Sequence, residues 1–73
     1  MNYRISTEGL MCGHCDASVE TELLKLAGVT DADADHETQT VLVEADRELS
    51  RTELDAAIKA AGEKFRIVSV ATA

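Results

Sequence analysis

The chain has 73 residues, 45% of them apolar and 29% charged, with fourteen acidic against seven basic side chains and a net charge of −7. That supports one globular domain over residues 1–73 and not two. A domain of this size buries only about 60% of its unfolded surface, too little to wall a deep catalytic cleft, and its acidity disfavours nucleic acid and anionic membranes while suiting a partner with a basic face.

Tyr3, Ile5 and Thr7 alternate with Arg4, Ser6 and Glu8, the period of a half-buried strand over residues 2–8. Gly9 to Cys12 break that period as a loop. From His14 the spacing changes. Val19, Leu23 and Leu26 share one helical face. Asp16 and Glu20 near the start and Lys25 near the end suit the helix dipole, with Gly28 as the stop. Residues 29–35 return to period two, with small alanines that pack closely under a helix. His36-Glu37-Thr38-Gln39 reads as a polar hairpin turn, and residues 40–45, with Val41, Leu42 and Val43, as a strand.

Ser50 followed by Glu53 is a capping box. It opens a second helix with Leu54, Ala57, Ile58 and Ala61 facing inward and Gly62 ending it. Phe65, Ile67, Val68 and Val70 make a last strand, and residues 71–73 a frayed tail. Strand, helix, strand, strand, helix, strand is the ferredoxin-like βαββαβ order, an α+β fold with both helices on one face of an antiparallel four-stranded sheet. Many unrelated activities use it, so function must come from a site.

The site signal is Cys12-Gly13-His14-Cys15, at the junction of the first loop and first helix. Backbone N–H groups at a helix start have no intrahelical partners and carry partial positive charge. They lower the pKa of a nearby thiol, and the expectation is that Cys15, in the first turn, gains most while Cys12 stays exposed in the loop. Thiolates select soft ions. Structural zinc and iron–sulfur clusters usually take four protein ligands, and this chain offers two cysteines. Cu(I), a d¹⁰ ion, accepts two or three. An incomplete shell also lets a partner's thiolate bind before the first one leaves.

The rival chemistry is thiol–disulfide exchange, since a close cysteine pair in a reducing compartment also marks redox enzymes. Against it stand the short chain, the absence of any proline and the Met11 that precedes Cys12 where such enzymes carry tryptophan. A zinc-handling domain is a further alternative.

Glu8-Gly9-Leu10-Met11-Cys12-Gly13-His14-Cys15 resembles the metal loop of the heavy-metal-associated domain, the family of small bacterial copper chaperones and of the N-terminal domains of copper-exporting P-type ATPases. The resemblance covers essentially the whole chain and implies the same βαββαβ fold. It implies that Cys12 and Cys15 bind Cu(I), with transfer to a copper-transporting P-type ATPase domain or a copper-responsive regulator. The family's Gly-Met-x-Cys-x-x-Cys pattern matches at Gly9, Cys12 and Cys15, but its methionine falls on Leu10. Leucine for methionine is close to volume-conserving, so Leu10 is expected to pack under the loop and Met11 to stand exposed at the docking face. Relatives that carry zinc or cadmium often have an aspartate at the Met11 position, so its absence favours Cu(I).

His14 is an auxiliary ligand, a bridge in a metal-linked dimer of an otherwise monomeric protein, or a solvent-facing residue; His36 is read as a solvated turn residue. Lys64 is placed to offset the charge of a bis-thiolate centre, and Phe65 to shield it or fill the core. Asp16, Glu20 and Glu22 form an acidic docking face or a solvated helix surface, and Tyr3 is a packing residue. The first residues show no signal-peptide core, and no run approaches the roughly 18 apolar residues of a membrane span. The expected location is therefore the cytoplasm, without membrane insertion. A start at Met1 and a short tail favour a free chaperone over a domain cut from a transporter.

Overall fold

The computed structural model describes residues 1–72. Its elements run β1 (Asn2–Glu8), α1 (Gly13–Leu24), β2 (Val29–Asp35), β3 (Thr40–Ala45), α2 (Arg51–Ala61) and β4 (Arg66–Thr72). The sheet order is β2-β3-β1-β4 with every neighbouring pair antiparallel. This is the ferredoxin-like arrangement that the periodicity implies.

The alternation of β1 sorts its side chains as expected. Tyr3, Ile5 and Thr7 are buried, and Ile5 lies opposite Val41 of β3 and Val70 of β4. The inner helical faces close over this layer with Val19 and Leu23 from α1 and Leu54, Ala57 and Ile58 from α2. Ala32 and Ala34 give β2 the low profile that lets α1 sit on it. The Tyr3 hydroxyl accepts the buried Leu49 N–H at 2.9 Å, so its polar end is satisfied within the core.

The Ser50 capping box forms as read. Ser50 Oγ accepts the Glu53 N–H at 3.1 Å, and the Glu53 carboxylate accepts the Ser50 N–H at 3.3 Å. Two boundaries differ from the sequence reading. Helix α1 stops at Leu24, before Gly28, because Leu26 turns back toward the core and its N–H bonds the Leu23 carbonyl at 3.1 Å. Gly28, at φ +87°, makes the following turn, where a Cβ would lie 2.7 Å from Asp46 Oδ1.

Strand β4 is also displaced from the expected one. Phe65 precedes it, while Ala71 and Thr72, read as frayed, pair with Arg4 and Tyr3; Ala73 lies outside the described residues. A bulge between the Ser6 and Thr7 pairings leaves Val68 without a partner on β1. Val68 therefore faces solvent beside Ser69, and the simple alternation of the strand fails there.

Candidate metal centre

The two thiols sit where β1 gives way to α1. Cys12 is the N-cap of α1, with extended backbone at φ −163°, and its carbonyl accepts the N–H groups of Cys15 at 3.0 Å and Asp16 at 3.2 Å. This turn brings Cys12 Sγ to 3.9 Å from Cys15 Sγ, with Cys12 exposed and Cys15 half-buried against the core. Two sulfurs on one ion, each at a metal–thiolate distance of about 2.3 Å, are at most about 4.6 Å apart. At 3.9 Å both sulfurs are close enough to reach one ion at an exposed loop tip.

The helix start acts on Cys12, the N-cap residue. The Cys12 sulfur closes no full capping hydrogen bond, yet it lies in the field of the Cys15 N–H first and the His14 N–H next. Those dipoles, with the neighbouring Cys15 thiol, hold the Cys12 thiol below its ordinary pKa. The N-cap side chain lies over the helix end, where the free N–H groups point.

The floor of the loop is built from Leu10 and Phe65. Leu10 is 4% exposed and packs in the core, as the motif alignment requires, whereas Met11 is 72% exposed beside the thiols. Phe65 is buried, so its core reading holds. Gly9, at φ +101°, passes so close to the loop before β4 that a Cβ would stand 2.5 Å from the Lys64 carbonyl oxygen. Only glycine allows both that backbone conformation and that approach. Lys64 Nζ lies over the Phe65 ring, 5.5 Å from its centroid.

His14 is exposed on the flank of α1 that faces α2, lining a shallow groove with Ala17, Ser18 and Thr21. Among the described residues, its ring nitrogens do not gather with the two sulfurs within 4.8 Å.

His36 is not the solvated turn residue of the sequence reading. Its Nδ1 meets Asp16 Oδ2 at 2.7 Å, tying the β2–β3 turn to the first turn of α1. The Asp16 hydrogen bond raises the His36 pKa, and the nearby carboxylates of Glu37 and Asp35 add to it. Asp16 Oδ1 is shut off from solvent with no partner, so His36 carries the side-chain pairing of that carboxylate. The three acidic side chains of α1 all make contacts within the domain. Asp16 turns to His36, Glu20 accepts the Ala34 N–H at 2.8 Å, and Glu22 pairs with Lys25 at 2.7 Å. Each of these carboxylates therefore has a partner within the domain.

Sequence reasoning missed Gln39. Its side-chain Oε1 accepts the Leu10 N–H at 3.1 Å and its Nε2 donates to the Leu10 carbonyl, so the amide grips the loop two residues before Cys12. No spacing rule signals a glutamine that works across the sheet. The one local hint is a glutamine at the position where a tight hairpin takes glycine or asparagine.

The chain matches the heavy-metal-associated domain pattern over residues 4–64. It belongs to that family. Over 46 residues it is 44% identical to copper chaperone CopZ of Staphylococcus haemolyticus, covering 63% of this chain and 68% of that protein. CopZ of Staphylococcus aureus strain JH9 is 43% identical over 42 residues, 62% of its own length. Among solved structures, a CopZ metallochaperone superimposes with a TM-score of 0.82 at 32% identity, covering 93% of this chain and all of that one. The heavy-metal-associated family is one of metal binding and trafficking and not of enzymes. No helix among the described residues is long and apolar enough to cross a membrane.

Proposed function

We propose that this heavy-metal-associated domain binds one Cu(I) through the thiolates of Cys12 and Cys15 and hands it to a partner by ligand exchange. The observation that carries this reading is the 3.9 Å separation of two free thiols at an exposed loop tip, one of them with its pKa lowered by the helix start. Relatives described as copper chaperones support copper as the cargo. Two thiolates at this exposed loop tip would hold the ion with an incomplete shell, so a partner's thiolate could bind it before Cys12 or Cys15 lets go. The receiving protein is a metal-binding domain of a copper-transporting P-type ATPase or a copper-responsive regulator, and residues 1–73 act as one domain in the cytoplasm.

A second reading has its own observation. The N-terminal domain of a potential copper-translocating P-type ATPase from Bacillus subtilis, in its Cu(I)-loaded state, superimposes with a TM-score of 0.75 at 27% identity, and the match covers 91% of it. The same site then serves as the receiving domain of a transporter.

Anaerobic Cu(I) titration of the reduced protein against a chromophoric Cu(I) chelator, with zinc in parallel, tests the site. One equivalent held strongly, with zinc displaced, is the expected result. Cys12→Ser and Cys15→Ser should each lose it. Retention of wild-type affinity by either variant, or zinc held in preference, defeats the assignment.

A further inference from the structure

We propose that the β2–β3 hairpin is a bracket that sets the relative position of the two thiols, with Gln39 as the positioning residue of the metal loop. This rests on Cys12 and Cys15 being the copper ligands. The thiols belong to different segments. Cys12 ends an irregular loop, and Cys15 rides in the first turn of α1. The hairpin holds both. Gln39 grips Leu10, two residues before Cys12, through its N–H and its carbonyl together. His36 holds Asp16, the residue after Cys15, at 2.7 Å.

The bracket is itself braced. Gln39 Nε2 also donates to the His36 carbonyl at 2.7 Å, joining the two grips inside the turn. The Gln39 carbonyl accepts both the N–H and the hydroxyl of Thr7, at 2.8 and 3.0 Å, which fastens the turn to the end of β1. Gln39 has φ +54°, a conformation that is uncommon outside glycine and usually filled by glycine or asparagine in a hairpin. A strained backbone at a residue whose side chain does specific work points to a role for that side chain. Here the side-chain amide takes up the donor and acceptor of a backbone that pairs with no strand at Leu10. A loop so held keeps Cys12 Sγ near Cys15 Sγ in the free protein, so less ordering is left for metal binding. Removing the grip should therefore speed the departure of the ion.

The test compares Gln39→Gly and Gln39→Asn with wild type. Glycine relieves the positive φ while deleting the amide, and asparagine accepts the same φ with a side chain one methylene too short to reach Leu10. The first readout, in the metal-free protein, is amide hydrogen exchange at Leu10. Losing the net worth of about one or two hydrogen bonds should accelerate it about tenfold, with protection of Ile5 and Val41 unchanged. The second is the rate at which preloaded Cu(I) passes to a chromophoric chelator, expected to rise by a similar factor. A merely structural Gln39 would lower protection throughout the sheet, and that result overturns the proposal. So does unchanged Leu10 exchange in both variants, or faster exchange with Cu(I) release at the wild-type rate. If wild type takes up no Cu(I), the copper reading fails, and the Leu10 exchange still decides whether the bracket exists.

Discussion

Gly9 shows how little freedom the metal loop has. Gly9→Ala forces a side chain onto a backbone at φ +101° and against the Lys64 carbonyl. Such strain costs about 1–3 kcal/mol, and urea unfolding of the metal-free protein should show a loss of that size. Leu10 gives the opposite case. Leu10→Met restores the family's usual residue in a buried slot and should cost less than about 1.5 kcal/mol; Leu10→Ala should cost about 2–5 kcal/mol by the same measurement. Equal losses would show that the loop floor is not packed as described. The side chain of Leu10 and the glycine at position 9 were legible from the motif. The Lys64 carbonyl that makes glycine obligatory was not, because it comes from a loop 55 residues later.

At the level of elements, α2 carries its own start signal and α1 does not. Ser50→Ala should cost about 1 kcal/mol through loss of the capping bond to Glu53 N–H, seen as a shifted denaturation midpoint with unchanged slope. Helix α1 starts on a cysteine that closes no side-chain cap bond, and its first turn is held by the His36–Asp16 pair instead. His36 has a folded pKa raised above its ordinary value of 6.5, first by the Asp16 hydrogen bond and then by the charges of Asp16, Glu37 and Asp35. Its contribution is complete below the unfolded value and fades as pH rises through the folded one. The stability gap between wild type and His36→Gln should therefore be widest in mild acid and shrink as the solution becomes alkaline. A gap that widens with pH would show that His36 is not charged against Asp16. The segment read as a polar hairpin turn thus contacts both thiol-bearing segments, through neighbours distant in sequence.

The whole molecule is small, 29 × 20 × 18 Å, with one core between the sheet and the two helices. With so thin a core, a ligand that binds only the folded state changes stability visibly. Free Cu(I) buffered at a thousand times its dissociation constant should add about 4 kcal/mol. At roughly 4–8 °C per kcal/mol for a domain of this size, that raises the melting temperature by about 15–30 °C. Stripping the ion with a stronger chelator should reverse the rise, and Cys12→Ser should abolish it. A rise that survives in Cys12→Ser would place the ion elsewhere. The net charge of −7 acts at the same scale. A charge of that sign favours encounter with a basic surface, an effect that added salt should weaken.

Local pattern was enough for the order of elements, the inner faces of β1, α1 and α2, the Ser50 cap and the Cys12–Cys15 pair. Each of these depends on residues within a few positions of one another, where periodicity and capping operate. Tertiary structure decided the rest. It ended α1 at Leu24 because Leu26 turns into the core, and extended β4 to Thr72 because β1 offers it partners. It laid the helix dipoles on Cys12, and it joined His36 to Asp16 and Gln39 to Leu10 across 20 and 29 residues of chain. Contacts at that separation depend on how strands register and helices dock, and no local period records them.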